Sequence, residues 1–169
     1  MRARMHDGGA FSRSVFQAIN KTATAGGSGD ATEVNGDWVD RELASVGRAL
    51  SAKLVIAFTA ALGQDETLTF AMNFQDATSL AGAGAADFSD AVTATTVATG
   101  DSGGSTETGT FEVDIDLSGA KQFIRTQVTP NLSASGTDTC EWSAILMFYG
   151  DHRQPSTQAV AKLGDADGI

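Results

Sequence analysis

At 169 residues the chain is long enough for one domain with a sizeable core and short terminal arms. Its net charge of −10 is concentrated: from Leu54 to Ala120 there is no Lys, Arg or His, but there are ten acids. Such a surface repels phosphate, so no nucleic-acid partner is expected. No segment approaches the roughly 18 apolar residues that span a membrane, so no membrane partner is expected either.

Residues 1–12 read as an extended N-terminal arm. Arg2, Arg4 and nearby Arg13 make this end locally basic, with Met5 and Phe11 as anchors. The opening MRARMHDGG lacks the apolar stretch of a secretory signal. Ser14 to Asn20 reads as a short strand or a turn of helix, and Ala25 to Asp30 as a glycine-rich loop. Trp38 is expected to pack at a sheet edge. Arg48 to Ala61 predicts a strand with Leu54, Ile56 and Phe58 on one face. Thr67 to Gln75 alternates strictly, with Leu68, Phe70, Met72 and Phe74 inward. With Gly63 to Glu66 as a turn, these two strands predict a hairpin. Ser79 to Asp90 reads as a loop with Phe88 tucked in, and Ala91 to Thr99 as a weaker strand.

The clearest signal runs from Phe111 to Tyr149, three successive strands that read as one antiparallel sheet. In FEVDIDL, Phe111, Val113, Ile115 and Leu117 share one face, and Glu112, Asp114 and Asp116 share the other. Ser118 to Ala120 predicts a turn, with Gly119 supplying a positive φ. In the next strand Ile124, Thr126 and Val128 oppose Phe123, Arg125 and Gln127, and Pro130 is expected to end it. In the last strand Cys140, Trp142, Ala144, Leu146 and Phe148 form a core row. The other row also turns apolar, at Ile145, Met147 and Tyr149, so this strand reads as central or covered. Residues 151–169 read as a C-terminal tail. The fold class is therefore all-β: an antiparallel two-sheet sandwich over residues 13–150, of which the jelly roll is one form, with extended N- and C-terminal arms.

Chemistry-bearing patterns are sparse, so no enzyme activity, cofactor or metal is expected. Cys140 lies on a core row, and the only histidines, His6 and His152, fall in the expected arms. Asp165 to Gly168 starts like a calcium loop but the remaining ligands do not follow. Gly100 to Gly104 lacks the lysine of a phosphate-binding loop and reads as a hairpin connection. Glu112, Asp114 and Asp116 read as a solvated face rather than a carboxylate pair for sugar hydrolysis.

Four segments carry a family resemblance: Val39-Asp40-Arg41, TFAMNFQDA, DLSGAKQFIRTQVTP and SAILMFYGD. Over roughly residues 38–150 the chain resembles small structural proteins of tailed bacteriophages, whose genes often lie near that of the major capsid protein. Several are β-sandwich or jelly-roll proteins that cement or decorate the head. The resemblance implies a virion location on the capsid surface, the major capsid protein as partner, and a homo-oligomer, trimer or ring. It carries no catalytic residues. Beside it, Arg2, Arg4, Phe11 and Arg13 are the expected capsid-contact residues, and Ile145, Met147 and Tyr149 the expected subunit interface. The rival expectations are a head–tail adaptor, tail or spike-base protein, and a carbohydrate-binding module that would need Trp38 and Trp142 exposed on one platform.

Overall fold

The computed structural model describes residues 12–43, 47–134 and 136–149. The expected arm and tail fall outside these residues, except Ser12, which opens the first strand. No helix occurs among the described residues. The strands are β1 (Ser12–Thr24), β2 (Val34–Asn35), β3 (Val39–Asp40), β4 (Glu42–Leu43), β5 (Gly47–Arg48), β6 (Ser51–Leu62), β7 (Thr67–Ala77), β8 (Ala86–Asp87), β9 (Val92–Thr99), β10 (Ser105–Asp116), β11 (Phe123–Leu132) and β12 (Thr139–Tyr149).

One sheet has the order β1-β12-β6-β10. The other has β2-β11-β7-β8, with β3 also on β11 and β9 also on β7. All the pairings are antiparallel. With β2–β3 and β8–β9 each counted as one interrupted strand, and the short β4–β5 pair set aside, the strands form two four-stranded sheets. The first, eighth, third and sixth strands form one layer, and the second, seventh, fourth and fifth form the other. This is the strand order of a jelly roll, and it makes the fold all-β as expected.

The topology corrects three local expectations. β6 and β7 are not a hairpin, because they belong to different sheets. The core-facing row of β6 is apolar throughout and that of β7 is apolar from Leu68 to Phe74, and those faces meet across the core; a hairpin would have set both in one layer. For the same reason β10, β11 and β12 are not adjacent strands of one sheet. The loop at Gly100 to Gly104 joins β9 in one layer to β10 in the other, again not a hairpin. Alternation reveals which face of a strand is buried, but not which strand lies beside it.

Pro130 does not end β11, which runs to Leu132. Its carbonyl accepts from Ala31 N at 2.9 Å, so its ring nitrogen lies on the side where β2 has already stopped. No ladder donor is needed there. The turn after β10 is also closed differently from the expectation. Asp116 Oδ1 accepts from Ser118 N at 2.8 Å, and Gly119 does not adopt a positive φ. That hydrogen bond holds the Asp116 carboxyl below its ordinary pKa.

The core is filled from both layers. Leu54, Ile56 and Phe58 from β6 and Trp142, Leu146 and Phe148 from β12 face Leu68, Phe70, Met72 and Phe74 from β7. Phe70 packs between Phe58, at 6.0 Å between ring centroids, and Trp142, at 5.7 Å. Each such side chain contributes about 1.5–3 kcal/mol by leaving water. Phe88 reaches in from the long loop to Phe74, as expected.

One end of the sandwich is held by a fully buried cation. Arg41 Nε donates to Lys121 O at 2.7 Å, and Nη1 donates to Ala49 O at 2.9 Å and Leu117 O at 2.6 Å. Nη2 donates to Ala120 O. Burial, then the nearby Arg48 charge, pulls the guanidinium pKa down. Alongside, Lys121 Nζ lies 2.6 Å from buried Asp76.

Candidate functional site

The two outer faces of the sandwich differ in chemistry. On the β2-β11-β7-β8 layer, polar side chains bond one another across the strands. Arg125 Nη2 donates to Gln75 Oε1 at 2.7 Å, and Gln75 Nε2 donates to Asp87 Oδ1 at 3.0 Å. Asn73 Nδ2 donates to the same Asp87 oxygen and to Gln127 Oε1, whose Nε2 donates to Asn35 Oδ1 at 2.7 Å. The Arg125 guanidinium lies 4.7 Å from the ring centre of Trp38. Trp38 is half-buried beside β3, at the sheet edge as expected. Its other neighbour is Gly82, where a Cβ would stand 2.6 Å from Trp38 Nε1.

The β1-β12-β6-β10 layer presents a different surface. Three rows of residues cross it. Phe16, Ile145, Val55 and Glu112 form one; Ser14, Met147, Lys53 and Asp114 the next; Ser12, Tyr149, Ser51 and Asp116 the third. Ile145, Met147 and Tyr149 are half-buried and face outward, while Cys140, Trp142, Ala144, Leu146 and Phe148 face the core. β12 is central, between β1 and β6. On the flank, Lys53 Nζ lies 2.8 Å from Glu112 and 3.4 Å from Asp114. The bond to Glu112, then that to Asp114, raises the Lys53 pKa. The acids of FEVDIDL are thus a solvated edge, of which Glu112 and Asp114 engage one cross-strand lysine.

The apolar surface is completed by residues that alternation alone did not assign. Phe16 is 52% exposed and Ile19 55%. Both flank a bulge in β1, where the register shifts between Phe16 and Ala18 and again between Ala18 and Lys21. The bulge turns Gln17 inward. Its Oε1 accepts from Thr126 N at 2.9 Å and Thr126 Oγ1 at 3.1 Å, across the core. The interruption between β2 and β3 leaves that backbone N–H without a strand partner, and Gln17 supplies one. Gly36 makes room: a Cβ there would stand 2.3 Å from Gln17 Oε1. Asn20, at φ 46°, completes the second irregularity and donates its N–H to Ser143 Oγ at 3.0 Å. The readable signal is the broken alternation of Val15-Phe16 and Ala18-Ile19, where neighbouring apolar residues face opposite ways. Above these rows lies a shallow depression of about 540 Å³, lined by Asn20, Thr22, Ala57, Thr59, Glu141 and Ser143.

Arg13, expected in a docking arm, is instead 5% exposed on β1. It donates to Asp40 O at 2.9 Å and lies 4.6 Å from the Phe148 ring centre. Its aliphatic stem and guanidinium cover a core aromatic, so it presents little surface to a partner. Arg2, Arg4 and Phe11 lie outside the described residues, as do both histidines and Asp165 to Gly168. Trp142 is 2% exposed and Trp38 belongs to the opposite sheet, so the two tryptophans share no platform. That removes the basis of the carbohydrate-binding expectation. Cys140 is buried, and burial pushes its thiol pKa up to about 12.

No family model and no curated protein matches the chain. Among solved structures it is similar to VP2 of infectious bursal disease virus, in a structure of the subviral particle. That match has 13% identity and a TM-score of 0.39, covering 81% of this chain and 31% of the other. A structure of the Gx strain of that virus gives 11% identity, a TM-score of 0.43 and coverage of 85% and 33%. Dimeric latent PorU from Porphyromonas gingivalis gives 8%, 0.42, and coverage of 86% and 13%. The chain thus spans about a third of the length of the viral proteins it matches. Its own strand order, rather than this likeness, defines the fold.

Proposed function

We propose that this chain is a virion structural protein of a tailed bacteriophage that binds the major capsid protein on the head surface as cement or decoration. The observation that carries this reading is the contrast between the two outer faces. One is a hydrogen-bonded polar wall suited to water. The other carries an apolar stripe, with Phe16, Val55, Ile145, Met147 and Tyr149, suited to burial against protein, either the head or another copy of the chain. In this reading the molecule works through its surfaces, and its role is mechanical. The resemblance to phage structural proteins adds support, because two of its segments meet in space: Arg41 of "VDR" is held by the carbonyls of "DLSGAK". Arg2, Arg4 and Phe11, just ahead of β1, are the capsid-contact residues in this reading, without Arg13. Binding to the assembled head and not to free subunits would stabilise the shell by mass action.

The test is co-sedimentation of the full chain with purified heads, expanded and unexpanded. Saturable binding to heads, with a rise in their disruption temperature, is the expected result. Failure to bind either form would overturn the reading. Binding confined to one vertex would assign the chain to an adaptor or spike base instead.

A further inference from the structure

The apolar face raises the question of its occupant. Of the four large hydrophobic side chains that are exposed among the described residues, Phe16, Ile19 and Leu50 lie on this layer or at its end. Leu50 adjoins the third row, donating its N–H to Tyr149 O at 3.1 Å. Half-buried Val55, Ile145, Met147 and Tyr149 lie on the same layer, interleaved with Ser12, Ser14, Ser51 and Lys53. Four strands roughly 4.8 Å apart and about ten residues long present a face of about 600 Å². Two such faces together bury about 1,200 Å², the lower bound of a stable specific interface.

We propose that the occupant is a second copy of this chain, packed face to face about a two-fold axis parallel to the strands. Charge selects this axis. A two-fold axis lying across the strands would stack Glu112, Asp114 and Asp116 on their own copies. An axis along the strands sets each acidic row over the β1 flank of the partner. There the same three rows end in Phe16, Ser14 and Ser12, with no carboxylate. Val55, Ile145, Met147 and Lys53 then lie nearest the axis, with the Lys53 charge met by Glu112 and Asp114 of its own chain. The contact is isologous, so it closes on itself as a dimer and leaves the polar wall of both copies outside. The inference goes beyond head binding and does not depend on it.

The experiment is sedimentation equilibrium of the full chain in the absence of heads. The chain is expected to dimerise with a dissociation constant at or below about 10 µM. Phe16→Lys and Ile19→Lys, both at exposed positions and checked for an unchanged melting temperature, are expected to weaken the dimer by about 100-fold. Glu112→Gln with Asp114→Gln is expected to change it by less than about threefold, since no partner charge faces them: Glu112 lies over Phe16 and Asp114 over Ser14. A chain that stays monomeric at several hundred µM, or a dimer that both lysine variants leave unchanged, would overturn the proposal. So would a monomer that dimerises only when residues 150–169 are removed, which would make that segment the occupant. A dimer that fails to bind heads would leave this inference standing and sink only the proposed function.

Discussion

The Nη1 nitrogen of Arg41 lies 2.6 Å from the carbonyl oxygen of Leu117, joining the chain after β3 to the turn after β10. The contact is part of a carbonyl cage that also includes Ala49, Ala120 and Lys121. A buried cation without this cage would be costly, and the cage without the cation would leave several buried acceptors unpaired. Arg41→Met is therefore expected to destabilise the fold by about 3–5 kcal/mol, read as a lower midpoint in urea. Arg41→Lys cannot form the same fork and is expected to restore less than half of the loss. An unchanged midpoint in Arg41→Met would show that the cage is dispensable.

Gln17 and Gly36 form a coupled pair. Gly36→Ala places a methyl 2.3 Å from Gln17 Oε1 and so expels the side chain that satisfies Thr126. A loss of about 2–3 kcal/mol is expected. Gln17→Ala alone loses the same hydrogen bonds, so the double variant is expected to cost at least about 1 kcal/mol less than the sum of the single ones. Strict additivity in denaturant melts would contradict this coupling.

Phe70 joins the layers through its contacts with Phe58 and Trp142. Phe70→Ala opens a cavity between the sheets and is expected to cost about 3–5 kcal/mol. Trp142 emission should shift to the red as its surroundings loosen. A cost below about 1 kcal/mol would mean that the neighbouring side chains collapse into the space.

Cys140 titrates near 12 in the fold, against an ordinary value of 9.0, because burial disfavours the thiolate. The sign follows from proton binding: the folded state holds the proton more tightly than the unfolded one. This stabilisation is intact below pH 9 and is lost as pH rises from 9 toward 12. Alkylation at pH 8 is expected to be at least about 100-fold slower in the native protein than in urea. Equal rates would place the thiol at the surface.

Much of the fold could be read from side-chain periodicity. The rows Leu54-Ile56-Phe58, Leu68-Phe70-Met72-Phe74 and Trp142-Ala144-Leu146-Phe148 alternate because one side of each strand is core and the other is not. The neighbours of β6 and β7 could not be read this way, since a turn such as Gly63 to Glu66 fits a hairpin and a corner between sheets equally well. The outward row Ile145, Met147 and Tyr149 was also legible. Phe16 and Ile19 were not, because their exposure depends on bulges set by Gln17 and Asn20. Arg13 was misplaced because a basic residue near a terminus is ordinarily solvated, whereas here it lies beside the Phe148 ring.

The most direct test of a structural role on the phage head is a reconstruction of the virion. The expected result is density for this jelly roll repeated over the head surface, against the major capsid protein. Density at a single vertex, or none on the particle, would contradict it.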